Sequence, residues 1–297
     1  SRRQRQMCIR DRCSAHRLSV RRRLRPKPRK LDRNKRLAAA VDAGLKERLS
    51  PEQIAGRLPV DYPDDQTMRV SHETIYQSLF IQGKGHLKKD IQQALRRGRA
   101  RRRSQVKRKR PRFGDEMLMI SDRPAEVADR AVPGHWEGDL IIGKAGQSAI
   151  GTLVERSTRY VMLLHLPDKH DAVTVKDKLI ETIEKLPQHL RASLTWDRGR
   201  EMAHHKQFSV KTGCPVYFCD PASPWQRGSN ENTNGLLRQY FPKGTDLSVH
   251  TETDLEFVAC QLNRRPRKTL GFYTPAEKLA ELLNSHPIND NECCNDH

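Results

Sequence analysis

The chain has 297 residues, 35% of them hydrophobic and 31% charged, and a formal net charge of +20. That length accommodates one large domain or two modest ones, and no apolar run approaches the roughly 20 residues that span a bilayer, so no membrane-spanning helix is expected. The seven cysteines are odd in number and form no CxxC pair, which argues against a zinc knuckle or a disulfide framework.

The charge is concentrated. Residues 1–36 hold 16 Lys/Arg against two acids, residues 96–112 hold 11 against none, and the rest of the chain is mildly acidic. A short basic run alone reads as a solvated tail; two of them flanking one segment form the footprint of a polyanion binder. No apolar stretch follows the basic start, so no signal peptide is expected. The expected location is the cytoplasm, in association with the nucleoid. The chain opens at Ser1 with no Met before Met7, and residues 1–33 are expected to be a basic, disordered or non-native arm.

From Asn34 a helical pattern begins, with Leu37, Val41, Leu45 and Leu49 recurring every four residues. Ser50-Pro51-Glu52 reads as an N-cap, a first-turn proline and a dipole-matched acid. Ser71 and Thr74 open a third helix over SHETIYQSLF. Three short helices over residues 34–95 fit either a helix-turn-helix, DNA-binding domain or any small bundle; the adjacent Arg-rich arm favours the former. Residues 96–130 form a basic linker.

Beyond it the composition changes. Apolar runs at 139–142, Ala149–Glu155 and 160–166, separated by GKAGQS and RSTR, predict three antiparallel strands. Val173, Val175, Leu179, Ile180, Ile183 and Leu186 follow a helical period closed by Pro187. LTW before Asp197 predicts a fourth strand, 202–210 a short helix, PVYFCD a fifth strand and 226–240 a further helix. The order βββαβαβα is that of an α/β, ribonuclease H-like core: a mixed five-stranded sheet covered by helices. It is expected over residues 131–284, with a disordered tail over 285–297.

Three acids carry the chemistry: Asp139 in GHWEGDLIIG, Asp197 in SLTWDRG, and Glu231 in SPWQRGSNENTNGLLRQYFPKGTDL. In this topology they come from the first strand, the end of the fourth, and the helix after the fifth. Acids from separate elements that meet at one point suit a two-metal site acting on a phosphodiester. Arg227, Glu231, Asn234 and Arg238 share one helix face, so Arg227, Asn234 and Arg238 are expected DNA contacts. Lys243, and Arg265, Arg267 and Lys268 of the proline-broken NRRPRKTL, complete that set. Glu137, Glu201 and His205 are candidate groups for orienting water or ligands, with Glu137 on the same side of its strand as Asp139. His135, Trp136, Trp196, Cys214 and Cys219 read as structural.

The strings GHWEGDLIIG, LVERSTRYV, SLTWDRGREM, VYFCDPASPWQRGSNENTNGLLRQYFPKGTDLS and NRRPRKTLGFYTPAE resemble DDE transposases of bacterial insertion sequences, the IS-thirty family. The similarity runs from about residue 34 to residue 283. It implies an integrase-like catalytic core whose triad falls on Asp139, Asp197 and Glu231. It further implies two Mg²⁺ ions, with Mn²⁺ able to substitute, held by those acids, and cleavage and strand transfer at insertion-sequence ends. The implied partners are double-stranded DNA, as transposon inverted repeats and target, and further copies of the chain, at least as a dimer. The family typically carries another helix-turn-helix ahead of the region seen here, so an N-terminally truncated chain is expected. Arg264 stands where the family more often has a small polar or acidic residue. The alternative function is a non-catalytic DNA-binding protein or repressor derived from a truncated transposase.

Overall fold

The computed structural model describes residues 29–82, 117–123, 132–167, 170–220 and 223–285, besides four isolated positions before residue 29. The second basic strip, the C-terminal tail, most of the N-terminal arm and Cys8, Cys13, Cys293 and Cys294 lie outside the described residues. The chain divides into two compact units, residues 1–94 and 95–297.

In the first unit, α1 (Lys35–Lys46), α2 (Pro51–Asp61) and α3 (His72–Gln82) stand where the periodicity puts them. Each start is fixed by a side chain. The Asn34 amide oxygen accepts the Leu37 N–H at 3.0 Å, and Ser50 and Gln53 form a reciprocal capping box. Ser71 Oγ accepts the Thr74 N–H at 3.2 Å. Leu37, Val41, Ile54, Leu58, Met68, Ile75 and Leu79 bury together as the core of this unit.

In the second unit five strands form one sheet in the order β3-β2-β1-β4-β5. They are β1 (His135–Ile142), β2 (Ala149–Glu155), β3 (Val161–Leu166), β4 (Ser193–Trp196) and β5 (Val216–Phe218). β1–β2 and β2–β3 pair antiparallel, whereas β1–β4 and β4–β5 pair parallel. This is the ribonuclease H-like arrangement expected from the sequence. The helices are α4 (Ala172–Glu184), α5 (His205–Thr212), α6 (Gly228–Leu237), α7 (Glu252–Asn263) and α8 (Pro275–Ser285).

Alternation along β1 assigns its two faces. Trp136 joins Val175, Leu179, Ile183 and Phe208, so α4 and α5 cover that side. Ile141 joins Leu236, Leu237, Leu255 and Leu262, so α6 and α7 cover the other. Glu137 and Asp139 share the parity of Ile141 and face α6. Cys214 and Cys219 are buried, and burial pushes their thiols up to about 12 and about 11, so both remain protonated and inert near neutrality.

β1 begins four residues earlier than its apolar run. His135 and Glu137 are polar, yet both are buried because partners await them: His135 Nδ1 meets Ser193 Oγ at 2.7 Å, and Glu137 pairs with Arg156. Asp139 is therefore mid-strand. The helix expected over 226–240 is a 3-10 turn (Pro224–Arg227) followed by α6. Among the described residues no helix is long and apolar enough to cross a membrane.

Candidate active site

β1 and β4 run side by side with Glu137 opposite Thr195. That register brings Asp139 near the first residue beyond β4, Asp197. A single guanidinium spans the two acids. Arg227 Nη1 lies 3.2 Å from Asp139 Oδ1, and Nη2 lies 3.5 Å from Asp197 Oδ2. Nη1 also donates to the Gly138 carbonyl at 2.9 Å. Asp197 is held from below by the Gly199 N–H, which donates to Oδ1 at 2.9 Å.

Burial raises the Asp139 carboxyl above the usual aspartate range, with the Asp197 charge adding to the rise and Arg227 opposing it. Burial also works against the charge on Arg227, but Asp139 and Asp197 more than offset that and hold it above its ordinary value. Glu201 leans toward the same spot. Its carboxyl is raised chiefly by burial and further by Asp197, and it accepts the Trp196 indole N–H at 3.4 Å.

α6 is bolted to β1 through a second buried carboxylate. Glu137 is fully buried, and its Oε2 accepts the backbone N–H groups of Ser229 and Asn230, both at 3.0 Å. No side chain of the helix's own N-terminal residue caps it, so the cap comes from the strand. Arg156 neutralises Oε1 at 3.1 Å. Asn230 donates to the Glu137 carbonyl and accepts from Thr152 Oγ1, each at 3.0 Å. One turn further on, Asn234 Nδ2 donates to Asp139 Oδ2 at 2.9 Å.

Glu231 lies between these contacts in sequence, about 60° around α6 from Asn234. It is exposed, and it lines an open depression of about 610 Å³ with Gly228, Asn232, Gly235, Arg238 and Gln239. Neither aspartate lines that depression. The structure thus brings Asp139 and Asp197 together and sets Glu231 at the flank of the helix that touches them. Among the described residues no three acidic, histidine or cysteine side chains are close enough to hold a metal ion.

The donor chemistry at the aspartate pair fits a hard divalent cation. The two carboxylates already share one positive group. Asn234 Oδ1, beside Asp139, is buried with no donor among the described residues, and oxygen-only sites of this kind suit Mg²⁺ or Mn²⁺.

The expected DNA contacts separate into two groups. Lys243 and Lys268 are exposed, and Arg238 is half-buried with Nη2 on the Ile142 carbonyl at 3.2 Å. Arg265 and Arg267 are buried at 3% and 8% exposure and correct the surface reading of NRRPRKTL. Arg265 donates to the Tyr240 hydroxyl at 2.8 Å, and Arg267 to the Leu262 carbonyl at 3.4 Å, so both brace the loop after α7. Arg227 and Asn234 face the aspartates. Glu137 holds a helix rather than a water. His205 packs edge-on against Phe218, with Nδ1 on the Met202 carbonyl at 3.0 Å. Sequence reasoning missed Arg156, Thr152 and Asn230; the sole clue was that an acid on a strand's inner face demands partners.

The sheet order and pairing are those of an integrase-type core, and the Integrase core domain family matches residues 129–224. That match ends before α6. A transposase for insertion sequence element IS1086 from Cupriavidus metallidurans is 48% identical over 241 residues, 80% of this chain and 70% of that one. The transposase InsI for IS30C of Escherichia coli K12 is 47% identical over 85% of this chain and 67% of its own length. A transposase for IS4351 from Bacteroides fragilis is 37% identical over 82% and 73%. Among solved structures, the catalytic core domain of BIV integrase aligns with 51% of this chain and 97% of its own, at 19% identity and a TM-score of 0.39. The chain belongs to the IS30 family of insertion-sequence transposases.

Proposed function

We propose that this chain is a DDE-type transposase in which Asp139, Asp197 and Glu231 form the catalytic set. The observation that carries this reading is the convergence of Asp139 and Asp197 on one guanidinium, with α6 fastened against the same strand. Asp139 and Asp197 would hold a divalent cation, with Glu231 closing on it from α6, and the ions would be Mg²⁺, two in number, or Mn²⁺ in their place. Such ions supply Lewis-acid activation of water and stabilisation of the leaving oxygen at a phosphodiester.

The chain's own groups do the rest. Asn234 fixes the rotamer of Asp139 through its 2.9 Å hydrogen bond. Glu137 fixes the height of α6, and so of Glu231, over the sheet. Arg238, Lys243 and Lys268 offer positive charge to the DNA backbone around the site. The reaction is hydrolysis at a transposon end to leave a 3′-hydroxyl, then in-line attack by that hydroxyl on a target phosphodiester. No side-chain nucleophile is required. Residues 34–95 would position or read DNA, and joining two ends calls for at least a dimer. The reaction would take place on the chromosome in the cytoplasm.

A strand-transfer assay on insertion-sequence ends, with and without Mg²⁺, tests this. Asp139→Asn, Asp197→Asn and Glu231→Gln should each reduce product by at least about a thousandfold, the scale on which loss of one member of a catalytic set acts. Wild-type cleavage by any of the three removes that residue from the set. Metal-independent DNA binding with no cleavage by the unaltered chain would favour a repressor instead.

A further inference from the structure

Two carboxylates held close together in a partly dry cleft repel one another, so the metal-free protein needs a cation there. The structure supplies one covalently. Arg227 sits in the turn that leads into α6, its side chain 16% exposed, and its fork divides between Asp139 and Asp197, which are 29% and 21% exposed. The third contact, Nη1 to the Gly138 carbonyl at 2.9 Å, fixes the plane of the fork against β1. A planar guanidinium can address two carboxylates at once; a lysine ammonium, a point charge, cannot do so with the same geometry.

We propose that Arg227 is an internal counter-ion that occupies the cation's place between Asp139 and Asp197 in the metal-free protein and is displaced from it when a divalent cation binds. The inference rests on the assignment of the aspartate pair as the metal-holding groups. A divalent cation takes carboxylate oxygens at about 2.0–2.1 Å for Mg²⁺, which places a dication within the space that the guanidinium now fills. The two positive groups repel, and they compete for Asp139 Oδ1 and Asp197 Oδ2. Arg227 therefore stabilises the empty site and weakens metal affinity. Once displaced, its charge stands at the head of α6, free to meet a phosphodiester oxygen. Metal loading and DNA-backbone binding are coupled through this one side chain.

The test is calorimetric titration of Mn²⁺ into the full chain at pH 8 without DNA, with thermal melts in EDTA and in Mn²⁺. Arg227→Gln keeps hydrogen-bonding capacity and removes the charge. It should melt lower than the wild type in EDTA and bind Mn²⁺ up to about fivefold more tightly, the modest scale of a part-exposed ion pair, equal to about 1 kcal/mol. Arg227→Lys should fall between the two, since its ammonium serves one carboxylate at a time. If Arg227→Gln fails to fold, Arg227→Lys carries the test in the same direction. Mn²⁺ binding by the folded variant that equals or falls below the wild type overturns the proposal, since Arg227 would then support the metal rather than compete with it. Asp139→Asn should abolish Mn²⁺ binding. If it does not, the cation lies elsewhere, and the site assignment fails along with the role of Arg227.

Discussion

Glu137 shows how much a single buried carboxylate can organise. It lies two residues before Asp139 with 0% exposure, paired with Arg156 on one oxygen and with two amides of the α6 N-terminus on the other. Glu137→Gln keeps the shape but removes the charge that pairs with Arg156 in the interior, and breaking a buried ion pair costs roughly 3–5 kcal/mol. Urea unfolding should show that loss; an unchanged midpoint would contradict the capping role. The parity of Glu137 with Asp139 was legible from the strand alternation. Its task was not, because alternation gives the side of the sheet and not the helix end that will arrive there 92 residues later. Arg265 and Arg267 mark the opposite limit. Charge in a proline-broken run reads as surface, and partners supplied by tertiary folding, among them the Tyr240 hydroxyl, the Gln239 side chain and the carbonyl of Leu262, make their burial tolerable.

At the scale of elements, the site depends on how closely β1 and β4 carry their large side chains. Gly138 has no Cβ because Trp196 fills that space: a Cβ there would fall 2.0 Å from Trp196 Cζ3 and 2.1 Å from Cε3. Trp196 is itself fully buried. Gly138→Ala must shift the indole or the strand, and overpacking of this kind costs about 1–3 kcal/mol. It should lower thermal stability and, because Asp139 is the next residue, also weaken metal binding. An alanine variant with wild-type stability would show that the indole has room to move. The order and pairing of the five strands were readable from apolar runs and turn residues. The start of β1 was not, since HWEG carries two polar residues whose partners lie on other elements. The split of the last core helix into a 3-10 turn and α6 was equally hidden, yet that turn is what aims Arg227 at both aspartates.

Across the whole molecule, charge and chemistry occupy different stretches of chain. The 11 Lys/Arg of residues 96–112 come with no acid, whereas the acids of the proposed site lie in the mildly acidic remainder. Each phosphate neutralised by a Lys or Arg contributes a salt-dependence slope of roughly −0.9 for duplex DNA. Replacing the Lys/Arg of this strip by Gln should therefore weaken duplex binding and make the slope of log K against log salt shallower by at least about 3 units. An unchanged slope would assign DNA affinity to other surfaces. In the proposed reading, sequence-independent grip falls to the basic strip and bond chemistry to the β1–β4–α6 junction.

The junction is tested most directly by anomalous diffraction from crystals of the full chain soaked in Mn²⁺. The expected result is a manganese peak within about 2.3 Å of carboxylate oxygens from both Asp139 and Asp197, with Glu231 turned in from α6 and the Arg227 fork withdrawn. A peak on other residues, or Asp139 and Asp197 still clasping Arg227 at saturating Mn²⁺, would contradict it.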